Sequence, residues 1–205
     1  MKIGRLMRSA LLLLVIIGIG IAAVVVRPTG APDYTGAPPE LHEDGHIEHV
    51  TSQVVPMPLD AFLAWHAENP ILDFLQPRGQ IPAVEGVTLL EGNWTEAGDR
   101  RRVNLAGGHS AAEQILERSE TRFRYQIWGA TTSARYVIDH AEGIFDYADQ
   151  GDGTTRVTWT YRMAPKAVFT RPVLVQFMEA DFAPFMGDGL ARMAEAAEEV
   201  GGEGS

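Results

Sequence analysis

The fold is decided by residues 171–200, which read RPVLVQFMEADFAPFMGDGLARMAEAAEEV. Apolar residues recur in this stretch at steps of three or four, which is the spacing of one face of an α-helix. Pro184 lies inside the run and predicts a kink or break near Asp181, because proline removes a backbone hydrogen bond and clashes with the preceding turn. A bent helix with one apolar face needs a concave apolar partner, and a curved β-sheet is the candidate that this chain offers.

Six candidate strands precede this helix, each bounded by glycine, proline or polar turn residues. They are 84–94, 100–105, 111–118, 121–128, 135–147 and 154–163. Short polar connections such as 149–153 make neighbouring strands antiparallel. A partly alternating segment at 46–55 adds a first strand, and proline-initiated helical spacing over 58–69 is followed by a short helical turn at 71–75.

The N-terminal part of the chain has a different character. Residues 10–26 form an uncharged apolar run behind Lys2, Arg5 and Arg8. At about 1.5 Å per residue the run spans about 25 Å, close to the ~30 Å hydrocarbon core of a bilayer. It predicts a transmembrane anchor, with a cleaved signal peptide as the alternative. Because positive charge stays cytoplasmic, we expect a single-pass membrane protein whose basic N-terminus, residues 1–9, is cytoplasmic and whose C-terminal domain lies outside the cytoplasm, periplasmic or extracellular.

The composition of the rest of the chain predicts a linker, one domain and a short tail. Residues 27–45 are rich in proline and glycine and predict a semi-stiff linker. Residues 46–200 are long enough for one domain with its own core, and residues 201–205 are predicted to be a disordered tail. The net charge of −10 opposes binding to phosphate backbones, so nucleic acid is not expected as a partner. The absence of cysteine excludes disulfides, thiol catalysis and zinc–thiolate sites.

The order of the elements resembles the helix-grip superfamily, also called START-like or SRPBCC, over residues 46–200. The residues that carry the resemblance are GTTRVTW at 153–159, YQI at 125–127 and Gly189-Leu190 in the C-terminal helix. Locally the chain is most similar to polyketide cyclase/dehydrase-type bacterial members. The resemblance implies an α+β fold in which a seven-stranded curved antiparallel sheet wraps around a long C-terminal helix, with two short helices after the first strand. It also implies a cavity between the sheet and that helix.

Strand alternation indicates which side chains line such a cavity, since alternate residues share a face. Aromatic and methionine-rich walls suit a flat or flexible apolar ligand. The residues expected to bind the ligand are Val103, Leu105, Phe123, Tyr125, Ile127, Val157, Trp159, Tyr161, Phe177, Met178, Phe182 and Met186. The alternative is that the same side chains pack together as a filled core.

Two residues are candidates for acid–base chemistry. His140 has Asp139 and Glu142 close in sequence, and Tyr125 belongs to the predicted cavity wall. An exposed or structurally hydrogen-bonded histidine is the alternative for His140. The arginine run 100–102 predicts a solvated strand, with a phosphate or carboxylate site as the alternative.

A histidine cluster lies at the start of the first strand. His42, His46 and His49 would share one face of a helix and could then ligate zinc or copper. Gly45 and the prolines just before the cluster oppose a helix there, and on a strand beginning at His46 the last two histidines point to opposite faces. We therefore predict no metal site and no cofactor.

The predicted function is a membrane-tethered helix-grip domain that binds a hydrophobic small molecule or lipid between the sheet and the C-terminal helix. One alternative is an enzyme similar to polyketide cyclases and dehydratases. Another is a non-enzymatic interaction domain of a membrane complex, with a filled core. The sequence shows no convincing acid–base pair, which favours binding over catalysis and leaves enzymatic activity open.

Overall fold

The sheet and the C-terminal helix have the predicted α+β helix-grip arrangement. The computed structural model describes residues 30, 32, 34–42 and 44–202. The elements in chain order are β1 (Ile47–Val55), α1 (Leu59–Glu68), a 3₁₀ turn (Ile71–Phe74), β2 (Val84–Glu91), β3 (Arg100–Leu105), β4 (His109–Arg118), β5 (Arg122–Trp128), β6 (Ile138–Asp149), β7 (Thr155–Pro165), α2 (Arg171–Phe177), a π-helical turn (Met178–Phe182) and α3 (Ala183–Gly202). The fold class is therefore confirmed.

The seven strands form one antiparallel sheet in the order β1-β7-β6-β5-β4-β3-β2. Strand β1 pairs with β7 because the chain returns across the sheet, and the other pairs join strands that are consecutive in sequence. Directly paired residues share a face of the sheet, so the register assigns side chains to the concave face, which meets the helix, or to the convex face. The regular alternation of buried residues along β7 follows from this arrangement.

The C-terminal helical segment buries one continuous stripe against the sheet. Its members recur every three or four residues, as one helix face requires. They are Leu174, Met178, Phe182, Met186, Leu190 and Met193. The π-helical turn lies just before Pro184, close to the position where an interruption was expected. Proline cannot donate a backbone hydrogen bond, and the wider turn accommodates that loss.

The loop before β2 is attached to this π-helical turn. Gly79 has a φ of 53°, and a Cβ at this position would overlap the Asp181 carboxylate. The backbone N–H of Gln80 donates to Asp181 Oδ2 at 3.3 Å, and Arg78 forms an ion pair with Asp188 at 3.0 Å. A glycine is required here because it permits both the left-handed backbone and the close approach.

Part of the predicted linker lies against the convex face of the sheet. Tyr34 is only 7% exposed and packs on Trp128. Its hydroxyl donates to the carbonyl of Gly129 at 3.0 Å, and Gln126 Nε2 donates to the carbonyl of Pro39 at 2.7 Å. Residues 34–42 therefore cover apolar and polar groups on the side of the sheet opposite the helix.

The predicted membrane localisation is corrected by the structure. Spanning a bilayer takes about 20 predominantly apolar residues. In the part of the chain that the structure describes, no helix is both long enough and apolar enough for this. The 20-residue α3, for example, carries charged residues along its length. The prediction of a single-pass membrane protein with its C-terminal domain outside the cytoplasm is therefore wrong. The apolar run 10–26 lies outside the described residues, as do residues 1–9.

Candidate functional site

Two tyrosines lie on either side of a glycine on the concave face. Tyr125 on β5, Gly143 on β6 and Tyr161 on β7 are direct cross-strand partners. A Cβ on Gly143 would overlap the Tyr125 ring, so the missing side chain makes room for the phenol. Both tyrosines are more than nine-tenths buried. The glycine therefore sets the position of a polar phenol group inside an apolar wall.

The chemistry of these phenols follows from their burial. Burial raises the pKa of Tyr125 well above its usual value, and the neighbouring Tyr161 and the Glu113 carboxylate act in the same direction. Burial also raises the pKa of Tyr161, with Glu113 again adding to the effect. A raised pKa means that each phenol keeps its proton at neutral pH. The two groups can donate hydrogen bonds to an oxygen of a ligand, but they are not bases.

A buried ion pair lies on the same concave face. Arg101 on β3 is the cross-strand partner of Glu113 on β4, and Glu113 is in turn the partner of Ile127 on β5. Arg101 Nε donates to Glu113 Oε2 at 2.6 Å, and the side chains are only 10% and 8% exposed. The arginine run was predicted to lie on a solvated strand, and Arg101 does not. Strand β2 lies between β3 and the edge of the sheet, and neighbouring groups cover the Arg101 guanidinium.

Trp94 provides that cover. The Arg101 guanidinium lies 3.9 Å from the centroid of the Trp94 ring, a cation–π contact. Trp94 has a φ of 66°, a left-handed conformation that costs a residue with a side chain about 1 kcal/mol. Asp99 stabilises this loop by accepting hydrogen bonds from the backbone N–H groups of Thr95 at 2.8 Å and Glu96 at 3.1 Å. These bonds lower the pKa of the Asp99 carboxyl. The loop therefore presents an indole ring to the ion pair.

The concave face has a filled half and a more open half. Over β6 and β7 the helical segment packs closely, and the ring centroids of Tyr161 and Phe182 are 4.4 Å apart. Over β2, at the edge of the sheet, the cover is thinner. Val87 and Leu89, the cross-strand partners of Val103 and Arg101, are 46% and 53% exposed. An apolar strip that solvent can reach therefore adjoins the buried ion pair.

The residues predicted to bind a ligand are in the expected region, and most of them touch one another. The buried ones are Val103, Tyr125, Val157, Trp159, Tyr161, Met178, Phe182 and Met186. The partly buried ones are Leu105, Phe123, Ile127 and Phe177. All except Val103 and Leu105 belong to, or pack against, a single apolar cluster. This packing is what the filled-core alternative also expects.

Two pockets open at the surface, and one of them lies between the β1 edge of the sheet and the C-terminal helical segment. One, of about 420 Å³, is lined by Pro58, Leu59, Asp60, Leu63, Glu120 and Asp149. The other, of about 340 Å³, is lined by Ile47, Glu48, His49, Val175, Met178, Glu179 and Ala183. Met178 is the one predicted ligand-binding residue that lines either of these pockets.

The two candidates for acid–base chemistry lie on opposite faces of the sheet. His140 is the cross-strand partner of Trp128 on the convex face, whereas Tyr125 is on the concave face. His140 is fully buried, and its Nδ1 lies 3.1 Å from Asp139 Oδ2. The ring centroids of His42 and His46 lie 5.6 and 5.8 Å from that of His140. Within the described residues, no group of three or more histidines, aspartates and glutamates is arranged to hold a metal ion.

The Arg101–Glu113 pair and Trp94 are the polar and aromatic groups that sequence reasoning missed. The alternation of residues 100–102 does show that the middle arginine faces away from its two neighbours. Pairing it with Glu113 requires the register of β3 on β4, and no local pattern specifies that register. The predicted strand 84–94 ends at Trp94, whereas this residue lies in the loop after β2.

The comparisons with known proteins agree with this architecture. The profile of a family described as polyketide cyclase / dehydrase and lipid transport matches residues 51–198. A search of curated proteins finds no match.

Several solved structures share the fold at low sequence identity. The protein TTHA0849 from Thermus thermophilus is 17% identical, with a TM-score of 0.55 over 75% of this chain and 99% of that one. An uncharacterized protein from Bacillus thuringiensis is 16% identical, with a TM-score of 0.54 over 74% of this chain and 98% of that one. The Zhui aromatase/cyclase from Streptomyces sp. R1128 is 16% identical, with a TM-score of 0.54 over 75% and 94%. At these identities the likeness shows the fold alone.

Proposed function

The chain belongs to the polyketide cyclase / dehydrase and lipid transport family, and from this premise we propose that it binds a hydrophobic small molecule or lipid between the concave face of its sheet and the C-terminal helix. The observation that carries the proposal is the more open half of that face. There the exposed side chains of Val87 and Leu89 adjoin the buried Arg101–Glu113 pair. An apolar surface with a few convergent polar groups is the usual composition of a small-molecule site.

The apolar body of the ligand lies along the strip on β2. Val87 and Leu89 supply this surface, and each Å² of apolar area removed from water contributes about 25 cal/mol to binding. The deeper residues, including Met178 and Met186, rearrange to admit the rest of the ligand. Methionine suits this role because its side chain is unbranched and flexible.

The polar end of the ligand meets the Arg101–Glu113 pair. The guanidinium keeps donors beyond the one that Glu113 accepts, so it can hold a carbonyl, hydroxyl or carboxylate oxygen. The Tyr125 and Tyr161 phenols remain protonated and are available as further donors. The ligand class is therefore an apolar molecule with at least one oxygen at one end.

A cyclase- or dehydratase-like enzyme is the second candidate, and one observation favours it. Glu113, a potential base, lies on the same face as the Tyr125 phenol, a neutral donor. The raised pKa of the phenol makes it a hydrogen-bond donor that positions an oxygen rather than a group that transfers a proton readily. A bound compound that leaves the protein chemically changed, and does so only when Glu113 is present, would favour this candidate.

The test of binding uses two neighbouring residues of β2 that face opposite ways. Leu89→Trp fills the concave strip, whereas Thr88→Trp adds the same side chain on the convex face, where Thr88 pairs with Arg102. Titration of the full chain with a fluorescent fatty acid should show at least about tenfold weaker binding for the Leu89 variant only. Native mass spectrometry of the unmodified chain should show a co-purified apolar compound. Equal affinities for both variants, or no binding by the unmodified chain, would contradict the proposal.

A further inference from the structure

A small apolar tip projects from the end of the sheet where β7 passes into α2. We use the name tip for Val168, Phe169, Val173 and Tyr136. Val168 and Phe169 are 88% and 83% exposed, and Val173 and Tyr136 are each 56% exposed. Exposed large apolar side chains are ordinary when scattered singly, but a group of this kind at one place marks an interaction site.

The tip is held in this exposed position by hydrogen bonds from the residues around it. Thr170 is 7% exposed, and its Oγ1 lies 2.7 Å from the Ala167 carbonyl oxygen, which closes the turn that carries Val168 and Phe169. The Lys166 backbone N–H donates to the carbonyl of Val137 at 2.9 Å, which joins this turn to the segment that carries Tyr136. The outward orientation of the apolar side chains is thus a property of an ordered turn.

Cations surround the tip in a chain that is otherwise acidic. Arg135, Lys166 and Arg171 flank its four residues, and residues 129–138 and 163–178 contain no aspartate or glutamate, although the net charge of the chain is −10. Within the described residues, none of these three cations forms an ion pair. Asp139, the next carboxylate along the chain, lies beside His140.

The hydrogen bonds of these cations leave their charges unneutralised. Lys166 Nζ donates to the carbonyl of Arg135 at 3.1 Å, and Arg171 Nη1 donates to the carbonyl of Gly45 at 2.6 Å. Arg135 Nη2 donates to the Tyr136 hydroxyl at 2.8 Å. Arg135 Nη1 also donates to the carbonyl of Thr131 at 3.2 Å. All four partners are neutral oxygens, so the positive charge around the tip is available to an anionic surface.

We propose that the tip docks peripherally on an anionic lipid surface. Phe169 and Val168 enter the boundary between headgroups and acyl chains, and the three cations contact lipid phosphates. The Tyr136 ring, with its hydroxyl directed to Arg135, lies at headgroup depth, where amphipathic aromatic side chains are favoured. This contact needs no membrane-spanning helix, and it does not depend on the proposed ligand site.

The shape of the tip favours a lipid surface over a protein partner. Protein interfaces concentrate their binding energy in side chains that fill well-packed pockets. Here Val168 and Phe169 project outward from a turn and have cations beside them. An anionic lipid headgroup layer, which apolar side chains can enter and cations can contact, matches this arrangement best. Each lysine or arginine near an anionic membrane strengthens binding about fivefold, so Lys166 and Arg171 together account for a factor of about 25.

The absence of cysteine from the chain permits a local test in the intact chain. Because residues 10–26 are also apolar, total vesicle binding is not diagnostic, and the readout must come from the tip itself. Val168→Cys carries a polarity-sensitive fluorophore, and quenching by nitroxide-labelled lipid is measured in phosphatidylglycerol vesicles. The matched control is Val54→Cys with the same label, since Val54 pairs with Arg156 at the opposite end of β7.

The proposal expects lipid quenching of the label at position 168 that is several-fold stronger than at position 54. Phe169→Ser in the labelled chain should raise the lipid concentration for half-maximal quenching at least about tenfold. Lys166→Gln with Arg171→Gln should have a similar or larger effect and should weaken the salt dependence. Phosphatidylcholine vesicles should quench the label weakly.

Several results would overturn the proposal. These are equal quenching at positions 168 and 54, equal quenching by the two lipids, or no effect of Phe169→Ser. Self-association in sedimentation without vesicles, abolished by Phe169→Ser, would instead assign the tip to a contact between copies of the chain. Circular dichroism of each variant separates any of these outcomes from unfolding.

Discussion

Removing Glu113 from its ion pair should destabilise the domain far more than removing a carboxylate from an exposed pair of the same length. Glu113→Leu leaves the Arg101 guanidinium buried on the concave face without its counter-charge. The matched control is Glu48→Leu, because Glu48 Oε2 also lies 2.6 Å from an arginine Nε, that of Arg162, but these side chains are 45% and 41% exposed. The two pairs differ in burial, and Arg162 also keeps the Glu142 carboxylate at 3.5 Å, so the control tests an exposed carboxylate whose loss leaves no cation unpaired.

The burial of each pair sets the size of its effect. Leaving one partner of a buried ion pair unpaired costs about 3–5 kcal/mol, whereas an exposed pair contributes about 0–1 kcal/mol. The contact of Arg101 with Trp94 is present with and without Glu113, so it does not change this difference. A loss of about 3 kcal/mol, the lower end of the range, lowers Tm by about 6–12 °C in a domain of this size. The double variant Arg101→Met with Glu113→Leu has no buried charge and should return to within about 1 kcal/mol of the unmodified protein.

Urea unfolding followed by circular dichroism measures the free energy of unfolding of all four proteins. Fluorescent fatty-acid titration of the double variant then separates the effect on stability from the effect on binding. This variant should be stable, but its affinity for the fatty acid should be reduced because the groups proposed to hold the polar end of the ligand are absent. A loss below about 1 kcal/mol for Glu113→Leu would refute the reasoning on burial. A double variant as unstable as the single one would do the same, and unchanged fatty-acid affinity would remove the pair from the proposed site.

Two further predictions concern the core. Burial lowers the pKa of His66, so this side chain takes up a proton at lower pH in the folded protein than in the unfolded chain. The stability that the neutral ring contributes is therefore complete above the unfolded pKa of ~6.5. It is lost as pH falls through the folded pKa. His66→Gln should flatten this part of the pH dependence of the urea midpoint, and an unchanged slope would contradict the assignment. Gly143→Ala should cost about 1–3 kcal/mol, because the added Cβ overlaps the Tyr125 ring. Combining it with Tyr125→Ala should cost less than the sum of the two single changes in thermal unfolding, and strict additivity would show that the overlap is not the cause.

The elements that formed where the sequence placed them are those with a strong local signal. The stripe from Leu174 to Met193 repeats at helical spacing, and Pro184 acts on the turn directly before it, so both follow from neighbours along the chain. The strands between the glycine-rich turns follow from alternation in the same way. The resemblance carried by 153–159 added the helix-grip topology, which the structure confirms.

The membrane localisation failed for a different reason. It depended on the apolar run 10–26 alone. The hydropathy of one segment does not by itself determine the location of the protein. The helices that the structure describes belong to the helix-grip domain, and none is able to span a bilayer.

Local periodicity thus determined the order and approximate positions of the strands and helices and which side chains of each strand share a face, because those properties depend on residues a few positions apart. Tertiary structure alone decided that Arg101 meets Glu113 under Trp94, that His140 lies across the sheet from Tyr125, and that Phe169 remains exposed. Each of these outcomes depends on strand register or on which surfaces meet. The physical reason is that burial and pairing of charges are set by groups distant in sequence, whose approach the local pattern does not encode.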